Sequence, residues 1–173
     1  MVACAHCNKT SMAVTTLKVG KKAPAFTLLD QNGDKVSLSQ FIGQWVFLYF
    51  YPKDDTPGCT KEACAISDDY SSFGKLDAVV FGVSTDSVQS HKKFETKYKL
   101  PFRLLADTEK KVVERYGVWG EKSLYGRKYM GTMRMSFIID PKGKIARIYH
   151  KVRPAEHAAE VLTDLRELRK GTV

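Results

Sequence analysis

The feature that most constrains the fold is an uninterrupted run of aromatic and branched residues, Trp45-Val46-Phe47-Leu48-Tyr49-Phe50-Tyr51. A strand with one face in water alternates apolar and polar side chains, so this run predicts a central strand that is buried on both faces. Pro57 and Gly58 then mark a turn, and apolar residues recur at three- and four-residue spacing: Ala63, Ile66, Tyr70 and Phe73. The spacing predicts a helix that begins near Cys59.

Two cysteines, Cys59 and Cys64, lie at the start of this predicted helix, five residues apart. The first turn of a helix has unpaired backbone N–H groups and the positive end of the helix dipole. Both favour a cysteine thiolate over the neutral thiol. Cys59 is therefore a candidate nucleophile with a second thiol nearby.

The remaining segments alternate between strand and helix patterns. We predict a hairpin around an Asn-Gly turn over residues 26–38, a second buried strand over 78–84 and a helix over 88–98. A short strand over 102–105, a helix over 108–116, a second hairpin over 135–149 and a closing helix over 155–170 follow. Residues 117–133 are predicted to form a long loop. This order is typical of an α/β, thioredoxin-like fold, in which helices flank both faces of a mixed central sheet.

The chain has 173 residues, of which 43% are hydrophobic, enough for one domain with a substantial core. We expect a flexible tail over residues 1–16 and one domain over residues 17–173. The sequence contains no membrane-spanning stretch, and its first residues do not resemble a signal peptide, so we expect a cytoplasmic protein without a membrane partner. Four cysteines are too few for a disulfide scaffold and are expected to be reduced at rest.

The formal net charge of +9 raises the question of a nucleic-acid partner. Basic residues are interleaved with acidic ones, as in Asp164-Leu165-Arg166-Glu167-Leu168-Arg169, which is the pattern of solvated helix faces. No nucleic-acid-binding motif accompanies the charge, and we expect no such partner.

The residues around the cysteines resemble a known active-site signature. Pro52, Thr56 and Cys59 have the spacing found in the peroxiredoxins, which are thiol peroxidases, and Thr56-Pro57-Gly58-Cys59-Thr60-Lys61-Glu62-Ala63-Cys64 resembles the atypical 2-Cys, bacterioferritin comigratory protein (PrxQ) branch. The resemblance implies that Cys59 is the peroxidatic cysteine and Cys64 the resolving one. It further implies that Thr56 contacts the peroxide, that Pro52 shields the pocket, and that Arg134 lies beside the thiolate.

The resemblance also implies an activity. The enzyme would reduce hydrogen peroxide and organic hydroperoxides through a Cys59 sulfenic acid and a Cys59–Cys64 disulfide, without a metal or organic cofactor. Thioredoxin would be the reductant, and the protein would be a monomer. If both cysteines lay in one helix, their Cα atoms would be about 8.6 Å apart, beyond the roughly 7 Å that a disulfide tolerates. We therefore expect the helix to unwind locally when the disulfide forms.

Each of these residues also has a structural interpretation. Cys64 could be a small buried hydrophobic residue, Arg134 a solvated strand charge, and Glu62 either a hydrogen-bonding partner of the site or an acid that complements the helix dipole. We expect the aromatic residues Trp45, Tyr49 and Tyr51 to lie in the core. Three histidines without metal-ligand spacing are interpreted as surface residues: His91, His150 and His157.

Two other classes of protein stay open from the residues alone. A thiol-disulfide oxidoreductase would share the fold, but its two cysteines are normally separated by two residues rather than four. A non-catalytic metal-binding or interaction module could use all four cysteines, including the C-x-x-C pair Cys4 and Cys7 in the tail, to bind one zinc. We favour an incidental or weakly redox-active role for that pair.

Overall fold

A seven-stranded mixed sheet forms the centre of the computed structural model, which describes residues 15–171. The strands in chain order are β1 (Thr27–Leu29), β2 (Lys35–Ser37), β3 (Trp45–Phe50), β4 (Ala78–Ser84), β5 (Arg103–Ala106), β6 (Trp119–Leu124), β7 (Arg127–Thr132), β8 (Met135–Ile139) and β9 (Ile145–Tyr149). The central sheet has the order β2-β1-β5-β4-β3-β8-β9, while β6 and β7 form a separate hairpin. Strands β3, β4 and β5 are parallel, and β8 pairs with β3 in the antiparallel sense.

Helices cover both faces of this sheet, as predicted. They are α1 (Pro57–Asp68), α2 (Tyr70–Lys75), α3 (Val88–Tyr98), α4 (Lys111–Arg115) and α5 (His157–Lys170). Helices α1, α2, α3 and α5 contribute to the core on one face, and α4 contributes to the core on the other. Within residues 15–171, every helix is too short or too polar to cross a bilayer.

Strand β3 divides the two cores. Phe47 and Tyr49 belong to the core that contains α1 and α5, whereas Leu48 and Phe50 belong to the opposite core. All six residues of β3 are buried, and Tyr51 directly after it is fully buried as well. The prediction of a central strand with no solvent-facing side is confirmed, as is the core location of Trp45, Tyr49 and Tyr51.

Two helix predictions need correction. The helix that begins after the turn ends at Asp68, and a second helix starts at Tyr70 instead of continuing the first. Asp69 lies between them outside helical geometry, and short acidic side chains favour such boundaries because they compete for backbone hydrogen bonds. The helix predicted over 108–116 is shorter, Lys111–Arg115.

The predicted long loop over 117–133 is wrong, because β6 and β7 pair as a regular antiparallel hairpin. Most residues of this hairpin are exposed on both faces, including Tyr125, whose side chain is 97% exposed at the tip. An element without a buried face carries no alternation of apolar and polar residues, and sequence periodicity therefore could not detect it.

Two of the three histidine predictions are wrong. His91 and His157 are fully buried, while His150 is exposed as expected. His157 Nε2 lies 2.8 Å from Ser136 Oγ, and its ring packs edge-on against Tyr149. Burial, the largest influence, lowers the pKa of His157, and its hydrogen-bond partners explain how a polar ring is accommodated in the core.

Candidate active site

Cys59 is placed by the junction between β3 and α1. Thr56 is the extended residue that precedes α1, and Cys59 is the third helical residue, with only 2% of its surface exposed. The Thr56 hydroxyl donates to the Lys53 carbonyl at 2.9 Å, and Thr56 O accepts the first helical bond from Thr60 N at 2.8 Å. The predicted strand–turn–helix arrangement therefore places the Cys59 sulfur near the amino end of the helix.

The segment between β3 and α1 is anchored by Asp54. Its carboxylate accepts hydrogen bonds from Tyr51 Oη at 2.6 Å and Ser90 Oγ at 2.8 Å, and lies 2.7 Å from His91 Nδ1. The Asp54 backbone N–H donates to Asp86 Oδ2 at 2.9 Å. These contacts join the segment before Cys59 to α3 and to the end of β4.

Asp55 provides a second, exposed anchor to α3. Its carboxylate accepts hydrogen bonds from Lys97 Nζ at 2.8 Å and Tyr98 Oη at 2.6 Å, and these bonds lower its pKa. Its φ angle of 54° lies in the left-handed region, which an aspartate adopts more readily than most residues. Neither aspartate was singled out from the sequence, because the partners that join them to β4 and α3 lie more than 30 residues away along the chain.

The only group of three metal-ligating side chains that meets within residues 15–171 is Asp54, Asp86 and His91, whose donor atoms lie within 4.8 Å of one another. These atoms already have protein hydrogen-bond partners: Ser84 Oγ lies 2.6 Å from Asp86 Oδ2, and His91 Nε2 lies 3.1 Å from Leu105 O. The cluster therefore satisfies its own polar groups, and its geometry fits a structural network. The tail cysteines Cys4 and Cys7 lie outside the described residues.

Arg134 reaches Cys59 from the strand next to β3. The pairing of Phe50 with Met135 brings the residue before β8 beside the end of β3. Arg134 Nη2 donates to Cys59 Sγ at 3.2 Å, and Nη1 donates to Glu62 Oε2. A Cβ at position 58 would lie 3.1 Å from Nη2, so Gly58 leaves the space that the guanidinium needs. The solvated interpretation of Arg134 is wrong, since the guanidinium is partly buried and binds two groups of α1.

Glu62 is the site residue whose importance the sequence least revealed. It is fully buried and forms an ion pair with Arg134, and its second oxygen, Oε1, has no hydrogen-bond partner among the described residues. Burial raises the pKa of Glu62 from 4.5 to about 7, although the Arg134 charge opposes the shift. Glu62 therefore changes protonation near neutral pH while it is bound to the same guanidinium as Cys59.

This shift predicts a pH-dependent stability. Because the pKa of Glu62 rises from 4.5 to about 7 on folding, the folded state holds the proton more tightly between these values. The contribution of Glu62 to the free energy of unfolding should be largest below pH 4.5 and should decline by about 3 kcal/mol as the pH rises to 7. Urea unfolding of wild type and Glu62→Gln at several pH values measures the difference; parallel stability curves would contradict the prediction.

Cys64 lies in the same helix as Cys59, and both thiols are free. Cys64 is half-buried, and burial, with a smaller effect of Asp68, raises its pKa. Five residues correspond to a rotation of about 500° along an α-helix, so the two side chains leave different sides of α1. The structure thus brings Arg134 to Cys59 and keeps Cys64 apart from it.

A cavity of about 440 Å³ is lined by Pro52 and Thr56 together with a wall formed by the hairpin of β6 and β7. The hairpin contributes both apolar and polar side chains: Trp119, Lys122, Leu124, Tyr129, Met130 and Thr132. A cavity of this size can accept a small organic molecule. The sequence does not predict this wall, because the hairpin has no periodic pattern and resembles a loop.

Comparisons with known proteins agree with this geometry. Residues 19–148 match the model of the AhpC/TSA family. Peroxiredoxin Bcp of Bacillus subtilis is 46% identical over 153 residues, covering 88% of this chain and 98% of that protein. The chain belongs to the peroxiredoxin family, in its Bcp/PrxQ subfamily.

Other peroxiredoxins of this subfamily support the assignment. Peroxiredoxin Bcp of Escherichia coli is 44% identical over 151 residues, covering 87% of this chain and 97% of that protein. The structure of a cysteine-to-serine mutant of Xylella fastidiosa PrxQ superposes with a TM-score of 0.85 at 31% identity, covering 90% of this chain and 99% of that chain. Bacterioferritin comigratory protein of Xanthomonas campestris, studied for alkyl peroxide reduction, gives a TM-score of 0.80 at 33% identity with the same coverage.

Membership of the family carries the predicted fold and activity. This peroxiredoxin has the thioredoxin-like fold and is a thiol-dependent peroxidase that acts on peroxides and uses a thiol reductant. The two other classes left open by the sequence, a thiol-disulfide oxidoreductase and a metal-binding module, are displaced by this finding.

Proposed function

We propose that Cys59 is the peroxidatic nucleophile of this peroxiredoxin and that Cys64 resolves it. The observation that carries the proposal is the 3.2 Å contact between Arg134 Nη2 and Cys59 Sγ, in the first turn of α1. A guanidinium remains positively charged at every physiological pH, so it stabilises the thiolate without competing for its proton.

The proposed reaction has three steps. The Cys59 thiolate attacks one oxygen of the peroxide, the O–O bond breaks, and Cys59 becomes a sulfenic acid while the other oxygen leaves as an anion that takes up a proton. Thr56 hydrogen-bonds the peroxide, and Pro52 shields the pocket. The Cys64 thiol then condenses with the sulfenic acid, which forms a disulfide and releases water. Finally a dithiol reductant exchanges with this disulfide.

The proposal also covers the substrates, the reductant, the location and the oligomeric state. Hydrogen peroxide and organic hydroperoxides are the substrates, and thioredoxin is the reductant. We place the enzyme in the cytoplasm, where thiols are kept reduced, as a monomer without nucleic-acid or membrane partners. The basic surface suits an acidic reductant.

Mass spectrometry tests the cysteine assignments. After one equivalent of hydrogen peroxide is added to reduced protein, wild type should form a Cys59–Cys64 disulfide. The Cys64→Ser variant should accumulate a sulfenic acid at Cys59, and Cys59→Ser should lose the rapid reaction. The matched control is a Cys4→Ser/Cys7→Ser variant, which should behave like wild type. Slow, unselective oxidation of all variants would contradict the assignments.

A further inference from the structure

Lys122 differs from its neighbours on the β6–β7 hairpin, residues 119–132. Residues 123–130 around it are exposed, whereas Lys122 is half-buried. Its ammonium group does not form an ion pair in the described part of the chain; instead Nζ donates to the Thr132 carbonyl at 3.1 Å. Partial burial of a lysine without an acidic partner costs free energy, so the position calls for a functional explanation.

The hairpin is shaped to direct Lys122 toward the base of β7. A Cβ at position 131 would lie 3.0 Å from Lys122 Cδ, so the lysine stem crosses the backbone where Gly131 has no side chain. This path carries Nζ to Thr132, which is buried two residues before Arg134. The hairpin thus brings a second cation toward the side of the protein from which Arg134 reaches Cys59.

Lys122 and Thr56 line the same cavity of about 440 Å³, together with Thr132. The Thr132 hydroxyl is buried and has no hydrogen-bond partner among residues 15–171. A protonated lysine has three N–H donors, and the Thr132 carbonyl accepts one of them. The cavity that Thr56 lines therefore has a cationic donor with further N–H groups, which suits a ligand that develops negative charge on oxygen.

The electrostatic surroundings agree with this geometry. Burial, followed by the Arg134 charge, lowers the pKa of Lys122, while the Cys59 thiolate raises it. Lys122 thus interacts with both partners of the thiolate–guanidinium pair. A lysine whose pKa is lowered gives up its proton more readily than an unperturbed one.

We propose that Lys122 is a further catalytic residue of the peroxidase reaction, whose ammonium group protonates the oxygen that leaves when Cys59 attacks. The thiolate forms a bond to one peroxide oxygen, the O–O bond breaks, and its electron pair remains on the departing oxygen. That oxygen takes a proton from Lys122 Nζ and leaves as water or an alcohol. Solvent then returns a proton to the neutral amine. The proposal rests on Cys59 being the nucleophile.

The departing oxygen needs a proton, and Arg134 and Glu62 are less suited than Lys122 to supply it. Hydroxide and alkoxides are poor leaving groups, because water has a pKa of about 15.7. Arg134 stabilises charge but does not release a proton, since a guanidinium stays protonated in proteins. Glu62, with a pKa of about 7, is fully buried and its Oε2 accepts a hydrogen bond from Arg134.

The test compares two peroxides with different leaving groups. tert-Butyl hydroperoxide releases an alkoxide that needs a proton, whereas peracetic acid releases acetate, a carboxylate that leaves as a stable anion. In Lys122→Met, the rate constant for Cys59 oxidation should fall about 100-fold with the alkyl hydroperoxide and change little with peracetic acid. Lys122→Arg keeps the charge but has no transferable proton, and it should behave like Lys122→Met.

Controls separate this proposal from its alternatives. Lys128, an exposed lysine of the same hairpin that pairs with Glu121, supplies the matched variant Lys128→Met, which should match wild type with both oxidants. Alkylation of Cys59 by iodoacetamide needs no protonated leaving oxygen, so in Lys122→Met it should fall much less than oxidation by the alkyl hydroperoxide, which verifies the fold and the thiolate. Equal losses with both oxidants, recovery in Lys122→Arg, or no loss at all would each overturn the proposal. Rapid oxidation of Cys59→Ser would instead overturn the assignment of the nucleophile.

Discussion

Replacing Arg134 by methionine is expected to slow the oxidation of Cys59 by hydrogen peroxide by about 100- to 1000-fold, the usual effect of removing a preorganised donor from developing charge. Arg134 Nη2 lies 3.2 Å from Cys59 Sγ, and the guanidinium is only partly exposed, so solvent cannot replace it efficiently. The loss should appear in the attack of the thiolate on peroxide. Stopped-flow measurement of Cys59 oxidation gives the rate constant.

The same substitution should also destabilise the fold, because Glu62 would remain fully buried without its partner. Removing one member of a buried ion pair costs about 3 kcal/mol or more. The double variant Arg134→Met/Glu62→Gln removes both charges and should recover much of the stability, but none of the peroxidase rate. This cycle distinguishes the two roles of Arg134.

A matched control is Arg147→Met in β9, where the arginine pairs with Asp164 at 3.5 Å and is 41% exposed. It should retain the wild-type rate. Recovery of the rate in the Arg134→Met/Glu62→Gln variant would contradict a direct role, since it would show that Arg134 acts only by neutralising Glu62.

Oxidation to the disulfide is expected to remove amide-exchange protection over residues 59–67. Both cysteines lie in α1, where five residues separate Cα atoms by about 8.6 Å, more than a disulfide allows. The first two turns must therefore unwind, which also withdraws Cys59 and Glu62 from Arg134. Protection there should fall to that of an exposed chain.

Hydrogen exchange with mass spectrometry measures this change in reduced and oxidised protein. Helix α3, which does not contain a cysteine, provides the internal reference and should keep its protection. Cys64→Ser treated with the same peroxide should keep α1 protected, because it cannot form the disulfide. Unchanged protection of residues 59–67 in disulfide-bonded wild type would contradict the unwinding.

Elements with strong local patterns could be predicted from the sequence. Strand β4 and helix α3 have the predicted bounds, 78–84 and 88–98, since continuous apolar runs and helical spacing are local signals. The β6–β7 hairpin lacked such a signal because its surface is mostly exposed. Periodicity thus predicted the core and missed the element that forms one wall of the cavity.

Only part of the candidate site could likewise be predicted from the sequence. The position of Cys59 at the strand–helix junction followed from local pattern, whereas Arg134 was selected through resemblance alone. Glu62 occupies an ordinary position for an acid in the first turns of a helix, and only the tertiary structure reveals its burial against Arg134. His91 binds Asp54 across 37 residues, a contact that a single sequence does not encode locally.

The anchoring of Asp54 and Asp55 to α3 bears on how α1 re-forms in the proposed cycle. A helix that forms from a free chain must first order several residues for a single hydrogen bond, with a nucleation constant of about 0.001. The anchors hold the residues just before Thr56 through contacts that do not involve α1. Once the disulfide is reduced, α1 can regrow from an end that is already in place. In the proposed cycle, the two aspartates would thus fix the place from which the helix re-forms.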